Sequence, residues 1–235
     1  MRIGILGSGL MGGKLGTIFA RAGHDVVFSY ARTVAKLKRL AREASGTARA
    51  GTPREAAQDA DALLLAVHWS RLDNVLDQAG DLSEKPVISC SLAMNADNTD
   101  LIVAHTSSGA EELSRKLPNG RIVSAFHTVP SEVLFGVFYE SRRKTNRPSL
   151  IYSRDDRRAK QIAASLIKDA GFDPVDCGAL RVARYLKPFA MLIAELAYGG
   201  KRGPELPIGL SAWRSDPGRV CAFVPKNCWQ VFNNL

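Results

Sequence analysis

Short, mainly apolar runs separated by amphipathic stretches recur along the first two-thirds of the chain. Ile3 to Leu6, Val26 to Phe28, Ala62 to Val67, Lys85 to Cys90 and Arg121 to Phe126 each read as a strand. Runs without polar alternation suit strands buried on both faces, as in a parallel sheet. Helical patterns lie between them. One runs from the glycines after Leu6 to Ala22, and a basic one follows Arg32. Thr52-Pro53-Arg54-Glu55 combines a threonine cap, an N-terminal proline and a glutamate three residues on, which predicts a helix through Ala60. Ser70 to Asp73 predicts a further helix start, and Ser108 to Glu111 a capping box for a helix reaching about Leu117. Strand and helix alternating in this way predict an α/β, Rossmann-type, doubly wound and mostly parallel sheet.

From Ser149 the same grammar repeats at smaller scale: a strand Leu150 to Tyr152, a helix Asp156 to Ala170 closed by Gly171, and a strand Phe172 to Asp176. Residues 180–198 form an apolar helical stretch containing Pro188, with Leu186, Phe189, Ile193 and Leu196 at helical spacing. Arg184, Lys187 and Glu195 interrupt it, so it reads as core or as a homodimer face. Beyond Gly200 the periodicity stops. The expected division is a dinucleotide-binding domain over 1–127, a smaller C-terminal substrate and dimerisation portion over 128–200, and an irregular tail over 201–235.

Composition narrows the class. A chain of 235 residues is long enough to bury a proper core. No apolar run approaches the roughly 18 residues of a membrane span. The first residues lack a signal-peptide layout, since glycines and Lys14 interrupt the apolar strand. The expected location is the cytoplasm. Four cysteines, Cys90, Cys177, Cys221 and Cys228, form no C-x-x-C pair, which predicts reduced structural thiols and no metal site. The net charge of +9 concentrates at Lys36, Lys38, Arg39 and Arg42 and again from Arg142 to Lys160, Lys144 included. No nucleic-acid signature accompanies it, so these read as solvated faces, without a nucleic-acid partner.

The candidate chemistry begins in the first turn. Gly7-x-Gly9-x-x-Gly12 joins the first strand to the first helix, the arrangement that cradles a dinucleotide pyrophosphate. Gly7, Ser8, Gly9, Leu10, Met11 and Gly12 are the expected contacts. NAD-binding units usually carry an acid about 20 residues downstream. Here Phe28-Ser29-Tyr30-Ala31-Arg32-Thr33 has none. A carboxylate would repel a ribose 2′-phosphate, whereas a guanidinium favours it. Ser29, Tyr30, Arg32 and Lys36 are therefore the expected 2′-phosphate side of the site, and NADP(H) the expected cofactor.

Two more segments converge at the carboxyl ends of parallel strands. Val67-His68-Trp69 is expected to line the cofactor's path. His127-Thr128-Val129-Pro130 is expected to meet the nicotinamide or its reaction partner, with Thr128, Val129 and Pro130 binding substrate. His127 reads equally as a proton donor or as a hydrogen-bonded turn residue that shapes the pocket. Hydride transfer needs no side-chain nucleophile, so the lack of a triad does not argue against an enzyme.

Ile3-Gly-Ile-Leu-Gly-Ser-Gly9, Ser29-Tyr-Ala-Arg32, Thr106 to Leu113, Ser124 to Pro130, Asp176 to Leu180 and Leu192 to Tyr198, in that order, resemble the deazaflavin-dependent NADP oxidoreductase family. The resemblance covers residues 1 to about 200. It implies hydride transfer between NADP(H) and the deazaflavin coenzyme F-420, in a homodimer. It also implies that Ser29 and Arg32 hold the 2′-phosphate and that His127 to Pro130 border the deazaflavin. Val67-His68-Trp69 and Ser91-Leu92-Ala93-Met94 depart from the family's proline-bearing turns. An ordinary flavin, a metal chelate, or a small carbonyl or imine remains open as the electron acceptor, and so does a non-catalytic NADP(H) sensor.

Overall fold

The computed structural model describes residues 1–143 and 147–199. The expected tail, with Cys221, Cys228 and Gly203 to Leu206, lies outside the described residues, as does Lys144. Strands β1 (Arg2–Leu6), β2 (Asp25–Ser29), β3 (Arg49–Ala50), β4 (Ala62–Leu65), β5 (Pro86–Ser89) and β6 (Arg121–Ser124) form one sheet in the order β3-β2-β1-β4-β5-β6. Every pairing in it is parallel. This is the doubly wound Rossmann order, and the direction of winding reverses between β1 and β4. In open sheets of this kind ligands bind outside the strands' carboxyl ends at such a reversal.

Helices α1 (Leu10–Arg21), α2 (Val34–Ala44), α3 (Pro53–Gln58), α4 (Leu72–Ala79) and α5 (Gly109–Lys116) connect the strands. The continuous apolar runs are explained by two cores, one on each face. Ala62 and Leu64 join Ile3, Ile5, Leu15, Phe19 and Phe28 on one side. Leu63 and Leu65 join Leu6, Val27, Val75 and Leu113 on the other. Both faces of β4 are thus dry, and no polar alternation is tolerated along it.

Further along lie α6 (Leu134–Glu140), β7 (Ser149–Tyr152), α7 (Arg157–Asp169), β8 (Asp173–Asp176) and α8 (Ala183–Ala194). Strands β7 and β8 pair in parallel. Ser153 bridges antiparallel to Ser124 at the end of β6, with the two residues exchanging backbone hydrogen bonds of 3.0 and 3.1 Å. Ala163 and Leu166 of α7 belong to the same core as Ile5 and Phe19. The C-terminal portion therefore shares the sheet's own core.

Several local expectations are corrected. Helix α3 stops at Gln58, two residues early, with Asp59 at its C-terminal cap. The helix expected to start at Ser70 begins at Leu72, with Arg71 at its N-cap and no side-chain cap, and the short turn Trp69–Arg71 before it is capped by His68, whose Nδ1 accepts from the Ser70 N–H at 3.2 Å. Helix α6, after a short turn at Ser131–Val133, had no clear periodic signal, because Pro130 and Gly136 punctuate the segment. Leu196 is 45 % exposed rather than core, and the buried stripe of α8 runs through Ala183, Leu186, Lys187, Ala190 and Ile193.

The basic run after Arg142 is spread over several elements. Arg142 lies 4.7 Å over the Phe138 ring, Lys160 pairs with Asp176 at 2.9 Å, and Arg154 is buried. No helix among the described residues is long and apolar enough to cross a membrane.

Asp156 makes a first prediction. Its carboxylate caps α7 by accepting from the Ala159 N–H at 2.9 Å, and it is the ion partner of buried Arg154 at 3.6 Å. The Ala159 hydrogen bond, then Arg154 and Arg121, hold its pKa below the usual aspartate value. A depressed carboxylate stabilises the fold above its unfolded pKa, and that contribution is lost as pH falls through the folded value. Asp156→Ala is expected to cost about 1–3 kcal/mol, a lost cap plus a stranded guanidinium. Asp156→Asn, which keeps the cap, should cost less and flatten the acid limb of the Tm–pH curve. Equal losses for both variants would contradict the ionic share.

Candidate nucleotide-binding site

The turn after β1 is built so tightly that side chains are excluded at two of its glycines. Gly7 sits at φ +110°, where a Cβ would lie 2.5 Å from the Ala66 carbonyl oxygen. A Cβ on Gly12 would lie 1.9 Å from the Gly7 oxygen. A Cβ on Gly9, by contrast, would meet nothing within 4 Å, and Gly9 is exposed. Ser8 is buried. Its hydroxyl donates to the Ser29 carbonyl at 2.8 Å, and its N–H donates to that of Tyr30 at 3.0 Å, clamping the turn to the end of β2. Gly9 caps α1 with no side-chain acceptor. The first-turn N–H groups at Leu10, Met11 and Gly12 are left for an anion, together with the helix's positive end. Leu10 is exposed and Met11 half-buried.

At the end of β2 the expectation for Ser29 is corrected. Ser29 is fully buried, and its hydroxyl donates to the Ile5 carbonyl at 2.7 Å, so it offers no proton to the crevice. Tyr30 adopts a left-handed φ of 54° and donates its hydroxyl to Asn74 at 2.7 Å. Arg32 is exposed and has no hydrogen-bond or ion-pair partner among the described residues. Lys36 is half-buried in the first turn of α2, where Thr33 caps the helix. Two cations thus stand at the strand's end, and neither makes an ion pair among the described residues.

The second segment is held in place by the loop after β5. The Val67 carbonyl accepts from the Ser91 hydroxyl at 2.7 Å. His68 bonds Ser70 at 2.8 Å and Asn98 at 3.0 Å, so it is a fastening point. Trp69 packs where a Cβ on Gly109 would lie 3.2 Å from its ring.

The third segment turns sharply. Phe126 is buried against Phe19 yet has a φ of 63°, uncommon for a bulky residue. The turn carries His127 inward, 6 % exposed, with both ring nitrogens buried and unpartnered among the described residues. Burial first, then the positive charge of Lys187, pushes the His127 pKa well below its ordinary value, while the Ala125 backbone acts the other way. His127 is neutral. Thr128, Val129 and Pro130 are half-buried, and Lys14 ties the segment by donating to the Ser131 carbonyl at 3.0 Å.

Sequence reasoning missed Lys187. It is 1 % exposed and donates from Nζ to the Ser91 carbonyl at 3.0 Å, across the ends of β5 and β6. Burial lowers its pKa to about 7. Nearby Cys90 is driven up to about 12 by burial, so it stays an inert thiol. The available signal was a lysine lying in the apolar stripe of α8. Among the described residues no His, Cys, Asp and Glu cluster can hold a metal.

Residues 2–93 match the family described as NADP oxidoreductase, coenzyme F420-dependent. Over that segment the chain is similar to this family. A rat metalloreductase, STEAP3, is 28 % identical over 186 residues, which cover 78 % of this chain but 35 % of the relative. The chain thus spans about a third of that protein. Among solved structures, a protein from Arthrobacter sp. FB24 assigned as an F420-dependent NADP reductase superposes with a TM-score of 0.72 at 21 % identity, covering 83 % of this chain and 93 % of that one. A reductive aminase from Aspergillus terreus, solved with NADPH and ethyl levulinate, gives 0.60 at 16 % identity, covering 83 % and 61 %. At these identities the superpositions establish the fold. The segment similar to the family holds both the glycine turn and the Arg32 strand end.

Proposed function

We propose that this protein transfers hydride between NADP(H) and a planar acceptor, with a deazaflavin such as coenzyme F-420 as first choice. The observation that carries the cofactor half is the unpaired Arg32 and Lys36 beside a glycine cradle, with no acid at the end of β2. The cradle fits a pyrophosphate: Gly9 leaves room, and Leu10, Met11 and Gly12 direct N–H groups into it. Arg32 and Lys36 hold the 2′-phosphate. Tyr30 walls the adenosine side, its ring fixed by Asn74. Bound NADPH supplies the hydride. Val67, His68 and Trp69 keep the path toward the acceptor rigid, and Thr128 to Pro130 border the acceptor.

His127 shapes the pocket. A neutral imidazole this deeply buried is poorly placed to exchange protons with solvent, which favours this reading over a proton donor. Exposed Tyr185, Leu192, Leu196 and Tyr198 on α8 and just after it form an apolar strip that suits a homodimer contact. The cytoplasm is the proposed location.

Stopped-flow oxidation of bound NADPH by F-420, FMN, ferric citrate and a small cyclic imine tests the acceptor. The expected result is fastest oxidation by the deazaflavin. Faster turnover of another acceptor would reassign the substrate, and none with any would make the chain a nucleotide sensor.

A further inference from the structure

Lys187 is used by nothing described so far, yet its burial is costly. An ammonium taken out of water is tolerated only with compensation. Among the described residues its compensation is one hydrogen bond to the Ser91 carbonyl, with no carboxylate as an electrostatic partner. Ser91 follows the carboxyl end of β5, and its hydroxyl holds Val67 beyond β4. His127, beyond β6, feels the same charge. The amine therefore stands behind the strand ends where the reactive half of a dinucleotide lies in a doubly wound sheet.

We propose that Lys187 is a positioning residue whose buried ammonium makes the nicotinamide end of the site discriminate by charge, favouring NADPH over the cationic ring of NADP⁺. This rests on the proposed NADP(H) site. The chemistry is plain electrostatics: the reduced ring is neutral and the oxidised ring carries one positive charge. A second cation in a dry pocket repels only the latter. The same charge favours acceptors that become anionic on gaining hydride, such as a deazaflavin or a carbonyl, and disfavours an iminium. The groups facing Lys187 are Cys90 from the end of β5 and His127 after β6, and both are neutral. One turn back on α8, Arg184 is neutralised by Glu111 of α5 at 2.7 Å. Lys187 is thus the charge that sets the local potential, and its pKa of about 7 puts the effect within reach of ordinary buffers.

The test is equilibrium titration of the full chain with NADPH, NADP⁺ and 2′-phospho-ADP-ribose, which lacks the nicotinamide. At pH 6, where the Lys187 amine is charged, Lys187→Met, a change of similar length that removes only the amine, should tighten NADP⁺ about tenfold relative to NADPH, the order of one repulsion between unit charges at an effective dielectric near 20. Binding of 2′-phospho-ADP-ribose should not change. The wild-type preference for NADPH should relax as pH rises through 7, a measurement that needs no variant. An unchanged NADP⁺/NADPH ratio, in the variant or across pH, would overturn the inference. If wild-type protein binds none of the three ligands, the NADP(H) site itself fails instead.

Discussion

Arg32→Ala is expected to weaken NADPH binding by about 1.5–3 kcal/mol, the range for a charge-assisted hydrogen bond, while leaving NADH binding nearly unchanged. The asymmetry matters more than the size. Arg32 makes no ion pair or hydrogen bond among the described residues, so its removal leaves no stranded partner and should not lower Tm. Isothermal titration with both nucleotides reads the difference directly. Equal losses would mean that Arg32 does not touch the 2′-phosphate.

The second large effect separates the glycines of the turn. Gly9→Ala should fold with Tm nearly unaltered, because Gly9 has a negative φ of −76° and space around its missing Cβ. The new methyl group would occupy the volume reserved for the pyrophosphate, and affinity for NADPH and NADH alike should fall by more than about tenfold, or 1.4 kcal/mol. Gly12→Ala should behave differently. Its Cβ would collide with the Gly7 backbone, costing about 1–3 kcal/mol of stability as well as binding. Thermal melts beside nucleotide titrations distinguish the two. A Gly9→Ala protein that binds NADPH normally would remove the cradle from the site.

These contrasts follow the boundary between what was legible in the sequence and what was not. The sheet was legible because its information is local: an apolar run buried on both faces, a glycine turn and a capped helix each declare themselves within a few residues. The lack of an acid at the end of β2, with Arg32 beside it, is a local fact of the same kind. Ser29 was misread because a strand's end can be located without knowing which way its last side chain points, and that serine turns inward to Ile5. Lys187 escaped because its meaning comes from a contact 96 residues away in sequence, at Ser91. Helix α6 escaped because a proline before it and a glycine inside it imitate a loop. His127 was located but not assigned. Its neutrality comes from burial and from Lys187, which only the folded chain brings to it.

The most direct test of the central claim is a crystal structure with NADP⁺ bound. The expected density places the ribose 2′-phosphate within about 3 Å of the Arg32 guanidinium and the pyrophosphate over the N–H groups of Leu10 to Gly12. A 2′-phosphate turned to open solvent, away from both Arg32 and Lys36, would contradict it.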